Sequence, residues 1–163
     1  MNMKEYSLHL LSNSEEDTSD LANLLSKHLP FGSLISLDGE LAAGKTVFSR
    51  ALFASLGYVE GFCSPTFAIM NEYENGKNYA YHLDVYRIED IEELDYIGFY
   101  EAISEGELIV IEWANMIKEV LSDDTIYIVM TKLDDENKRQ LTISSKNEKF
   151  ILEIADALIQ YAL

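Results

Sequence analysis

Gly39-Glu40-Leu41-Ala42-Ala43-Gly44-Lys45-Thr46 spells the phosphate-binding pattern G-x-x-x-x-G-K-T. In such a loop backbone N–H groups converge on phosphate oxygens, the lysine reaches the β- and γ-phosphates, and the threonine hydroxyl can ligate Mg²⁺. Gly39 and Gly44 allow a tight chain path that a Cβ would block. A helix starting near Lys45 adds its positive end to the same site. The chemistry implied is the binding of a nucleoside triphosphate with Mg²⁺. Hydrolysis asks for more: an acid near the metal and a group that orients water.

Two acids are candidates. Glu112 closes the apolar run LIVIE, where a Walker B acid stands at the carboxyl edge of a buried strand; the plainer reading is an exposed strand-end carboxylate. Asp84, in HLDVYR, closes a strand whose alternation puts His82, Asp84 and Tyr86 on one face. It orients water or holds the metal shell, or else caps the next turn. Thr66, in the loop Ser64-Pro65-Thr66-Phe67, occupies the position of a switch segment that senses the γ-phosphate. Lys45, Arg50, Arg87 and Arg139 are the cations available to an anionic ligand, although Arg87 can equally pair with Glu89. His82, Cys63 and Trp113 read as packing residues.

The elements that must hold these residues are legible in the periodicity. Tyr6 to Leu11 reads as a first strand, and Ser14 caps a helix carrying Leu21, Leu24 and Leu25. The apolar run Ser33 to Asp38 reads as the strand before the phosphate loop; Val47, Phe48, Ala51, Leu52 and Leu56 give the helix after it, stopped by Gly57. Two β-rich runs flank the turn signal Asn75-Gly76, an acidic helical stretch follows, and Glu107 to Glu112 is a buried strand. Ala114 to Leu121 reads as a short helix, Thr125 to Thr131 and Gln140 to Ser144 as a second hairpin, and Asn147 or Glu148 opens a last helix. The fold class expected is α/β: a P-loop NTPase-like three-layer sandwich whose mixed sheet has a parallel core and antiparallel hairpins. Residues 1–163 are expected to form a single domain.

The chain of 163 residues has 12 Lys+Arg against 29 Asp+Glu, a net charge of −17 that repels polyanions. Autonomous binding of DNA or RNA is therefore not expected. The acids between Glu89 and Glu112 read as solvated surface, with a docking face for a basic partner as the sharper alternative. One cysteine allows no intrachain disulfide, and no apolar run is long enough to span a bilayer, so a cytoplasmic setting without membrane attachment is expected. Asp95-Tyr96-Ile97-Gly98 and Thr131-Lys132-Leu133-Asp134 mimic guanine-nucleotide motifs, but neither has the strand context those motifs need, so adenine ranks above guanine.

The ordered set GELAAGKT, SPTF, NEY, HLDVYR and IEW resembles the TsaE (YjeE) family of small bacterial P-loop ATPases. The resemblance implies an ATP-hydrolysing subunit that acts with TsaB and TsaD in making N6-threonylcarbamoyladenosine on tRNA, with tRNA met indirectly through the complex. It implies ATP and Mg²⁺ at Gly39 to Thr46, Mg²⁺ ligands Thr46 and Glu112, and catalytic roles for Lys45, Asp84 and Glu112. Thr18, Thr66 and Arg139 join the nucleotide side by the same resemblance. Glu40 and Ala42 depart from the usual family loop, alanine replacing a glycine, and Ala114 stands where the family commonly has proline after IEW. A small-molecule or nucleotide kinase and a nucleotide-gated binding module that hardly hydrolyses are the competing functions.

Overall fold

The computed structural model describes residues 5–163. Its framework is one seven-stranded sheet: β1 (Tyr6–Ser12), β2 (Ser33–Gly39), β3 (Met70–Glu74), β4 (Tyr79–Asp84), β5 (Gly106–Glu112), β6 (Ile126–Lys132) and β7 (Arg139–Ser145). The strand order is β1-β7-β6-β2-β5-β4-β3. The inner pairs β6/β2, β2/β5 and β5/β4 are parallel, while β3/β4, β6/β7 and β1/β7 are antiparallel. This is the mixed sheet expected, with both hairpins where the turn residues put them. The phosphate-loop strand β2 lies inside the sheet, and its run Ser33 to Leu37 is wholly buried.

Helices cover both faces. On one lie α1 (Glu15–Ser26), α2 (Lys45–Ser55) and, late in the chain, α5 (Glu148–Ala157), whose Leu21, Leu25, Phe48, Leu52, Phe53 and Ile154 pack against Ile35, Leu37 and Val110 of the sheet. On the other lie α3 (Glu93–Tyr96), α4 (Phe99–Glu105) and a 3-10 segment, Ala114–Val120, which bring Leu94, Phe99 and Ile117 onto Leu83, Ile109 and Ile111. Strand alternation sends β5 side chains to both cores, which is why LIVI is apolar without a break.

Local rules set the ends. Ser14 accepts from the backbone N–H of Asp17 at 3.0 Å, and Asn147 does the same for Phe150 at 3.1 Å. Two expectations need correction. The acidic stretch is not one helix: Gly98, at φ 79°, breaks it into α3 and α4 so that Leu94 and Phe99 can both reach the sheet. The segment after Trp113 is 3-10 with a non-helical Ile117, not an α-helix. None of the described helices is long and apolar enough to cross a membrane.

Candidate functional site

The phosphate loop leaves β2 through Gly39 and enters α2 through Gly44. Gly39 has φ 156° and Gly44 has φ 100°, both closed to ordinary side chains. A Cβ on Gly39 would stand 2.5 Å from the Met130 carbonyl oxygen of neighbouring β6. Ala42 is the anomaly, because it takes φ 63°, a left-handed conformation that suits glycine. Arg139, at the start of β7, braces this turn: its Nε donates to Ala43 O at 3.0 Å and its Nη2 to Ala42 O at 3.3 Å. Lys45 curls back over the loop, with Nζ donating to Gly39 O at 2.5 Å and Glu40 O at 3.2 Å. Those carbonyls hold the ammonium where a phosphate could take it over.

A cavity of about 560 Å³ opens above the loop. Its wall includes Leu41 to Thr46 of the loop, Thr18 of α1, Thr66, Glu112 at the end of β5, and Arg139. The unsatisfied N–H groups at the start of α2 belong to this wall and make it receptive to an anion. Thr46 and Glu112 offer it a hydroxyl and a carboxylate, hard donors of the kind Mg²⁺ accepts while keeping several waters and taking few protein ligands. Among the described residues no group of three or more His, Cys, Asp and Glu could hold a metal by itself. Gly39 and Glu40 instead line a smaller neighbouring recess of about 290 Å³ with Asp38, Lys45 and Trp113. Burial pushes the Asp38 carboxyl up, against the opposing pull of the Ser36 hydroxyl and the Lys45 ammonium.

Other predicted residues are placed less simply. Thr18 lines the cavity, but its hydroxyl is 2.7 Å from Ser12 Oγ and donates to Ser14 O at 3.2 Å. Asp84 stands directly opposite Glu112 in the parallel β4/β5 register, yet it does not line the cavity. Its Oδ1 accepts from the Tyr86 N–H at 3.1 Å, the turn-capping arrangement. Tyr86 leaves the shared face of His82 and Asp84, since β4 ends at Asp84, and its ring packs on Trp113 at 4.9 Å. Of the four cations, Lys45 and Arg139 reach the cavity. Arg50 lies over the Phe62 ring at 5.7 Å, and Arg87 donates to the Thr66 carbonyl. Cys63 is exposed rather than packed, and its carbonyl accepts from Tyr73 OH at 3.0 Å. The sequence reading missed Ser14, Glu15, Val47, Ser64, Glu136 and Asn137, which complete the wall. Ser64, beside Thr66, was the one signalled by its neighbours.

The family model for "Threonylcarbamoyl adenosine biosynthesis protein TsaE" matches residues 12–141, the stretch that contains every residue of the cavity wall. The chain belongs to the TsaE family. Among relatives called tRNA threonylcarbamoyladenosine biosynthesis protein TsaE, that of Rickettsia felis is 34% identical over 91% of this chain and 86% of its own. The Bacillus subtilis relative is 33% identical over 83% of this chain and 84% of its own. The crystal structure of Bacillus subtilis YdiB superimposes with a TM-score of 0.73 at 27% identity, covering 96% of this chain and 97% of that one. The likeness spans nearly the whole of both chains, so this TsaE chain shares that architecture.

Proposed function

We propose that this protein is an ATP-hydrolysing accessory subunit required for N6-threonylcarbamoyladenosine modification of tRNA, acting with TsaB and TsaD. The observation that carries the proposal is the meeting of Lys45, Thr46, Thr66 and Glu112, from three separate places in the chain, around one cavity at the start of α2. In this reading ATP lays its phosphates along the loop N–H groups. Lys45 exchanges the Gly39 and Glu40 carbonyls for phosphate oxygens, and Thr46 and Glu112 hold Mg²⁺. The ion's contribution is to neutralise charge on the β- and γ-phosphates. Thr66 sits where it can report on the γ-phosphate, with its backbone carbonyl anchored by Arg87. The net charge of −17 suits a subunit that leaves tRNA contact to its partners.

The test is ATP turnover by the purified protein with and without TsaB and TsaD. Stimulation by the partners is expected; ADP release that depends instead on a small phosphate acceptor would establish a kinase. A nucleotide-gated module remains the second reading, favoured by the position of Asp84, whose carboxylate is engaged with Tyr86 outside the cavity. Asp84→Ala separates the two. Loss of multiple turnover with ATP binding intact supports hydrolysis as the role, whereas unchanged tRNA modification supports the module.

A further inference from the structure

Glu112 is not a free carboxylate. His82 Nε2 lies 3.0 Å from Glu112 Oε1, with side-chain exposures of 0% and 8%. The contact follows from the sheet: Asp84 pairs with Glu112, so His82, two residues earlier on β4, faces the same side just beneath it. A carboxylate in its ionised form only accepts, so the geometry suits an Nε2–H donor. Among the described residues His82 Nδ1 is buried without a partner, and a proton there would be a buried donor with no acceptor. The ring is walled by Phe53 at 5.6 Å and Phe62 at 5.8 Å, with interplanar angles of 30° and 25°. The aromatic walls hold the plane of the imidazole, and the contact with Glu112 sets which ring nitrogen faces the carboxylate.

We propose that His82 is a positioning residue: by holding Oε1 it locks the Glu112 side chain and leaves Oε2 as the oxygen offered to Mg²⁺ in the nucleotide cavity. The inference rests on the Mg·ATP reading given above. It also explains why a histidine stands between the Phe53 and Phe62 rings. The same ring seats the Thr66 loop, since Phe62 stacks on Tyr73 at 5.6 Å and Tyr73 OH holds the carbonyl of Cys63 just before Ser64. A ring without a donor and a donor without a ring thus separate the two tasks.

The experiment measures binding of ATPγS by calorimetry, across a Mg²⁺ titration and in EDTA, for wild type, His82→Phe and His82→Gln. His82→Phe keeps the stack and loses the donor, so it should raise the Mg²⁺ concentration needed for tight binding by about tenfold to a hundredfold, with affinity in EDTA unchanged. His82→Gln, which restores an N–H near the Nε2 position, should recover much of that loss. An unaltered Mg²⁺ requirement in His82→Phe overturns the inference alone; absence of ATPγS binding by the wild type overturns the triphosphate reading and the inference with it. Should His82→Phe not fold, the imidazole ¹⁵N shifts of wild type decide. Protonated Nε2 with bare Nδ1, and an Nε2 shift that moves with Mg·ATPγS but not with ATPγS in EDTA, supports the assignment. The opposite tautomer refutes it.

Discussion

Replacing Ala42 by glycine should stabilise the protein. With φ 63°, Ala42 holds a left-handed conformation that costs an L-residue about 1–2 kcal/mol relative to glycine. The residue is exposed, so deleting its methyl group forfeits no packing. Opposing this, glycine enlarges the freedom of the unfolded chain by about 0.4–1 kcal/mol. The difference is a gain of about 0–1.6 kcal/mol, centred on about 0.8 kcal/mol, which for a chain of this length raises Tm by about 2–3 °C at the centre of the range. Urea denaturation at constant m, with thermal melting by circular dichroism, measures it. Gly39→Ala provides the opposite arm: its Cβ would meet the Met130 carbonyl at 2.5 Å, a backbone atom that cannot retreat without bending β6. Clash and backbone strain together cost about 2–5 kcal/mol there. A loss of stability in Ala42→Gly, or a neutral Gly39→Ala, would refute the account of the loop as strained at the first position and crowded at the second.

Two further outcomes concern pH. Burial and the nearby Glu72 and Glu105 carboxylates push the Tyr81 phenol up to about 12. Its folded state therefore holds the proton more tightly than the unfolded state, so its stabilisation is full below about pH 10 and is lost as pH rises through the folded value. Urea titrations at about pH 8 and about pH 11 should show wild type losing more stability than Tyr81→Phe across that interval; equal losses would contradict the assignment. Asp38 shares the sign, its carboxyl being raised chiefly by burial. Its contribution is present at low pH and lost as the carboxyl ionises, so Asp38→Asn should be more stable than wild type at about pH 7, with the margin shrinking toward about pH 4. A margin that grows on acidification would show that the Ser36 and Lys45 interactions outweigh burial.

Much of this architecture was readable in one dimension because it rests on short-range rules. The loop announces itself in eight consecutive positions, Gly39 to Thr46. Ser14 and Asn147 mark helix starts by a bond spanning three residues, and the LIVI run marks a strand covered on both faces. Where two local signals competed, the reading slipped. Around Gly98 a continuous acidic helical pattern yielded to the need to put Leu94 and Phe99 on the sheet, and after Asp84 the alternation stopped where the strand did.

Residue order alone determined the anion-binding loop, its strand and helix, the two hairpins and an acid at the end of the strand Gly106–Glu112, since each follows from spacing within a dozen residues. Folding in three dimensions decided which distant groups share the cavity. Arg139 reaches the carbonyl of Ala43, 96 positions away, because β6 runs parallel to β2 as far as the loop and β7 begins there, with Arg139 paired to Lys132. His82 meets Glu112, 30 positions on, because β4 and β5 run parallel with Asp84 opposite Glu112. Such contacts depend on strand order and register, which the burial of the whole sheet selects; a segment considered by itself contains no term for them.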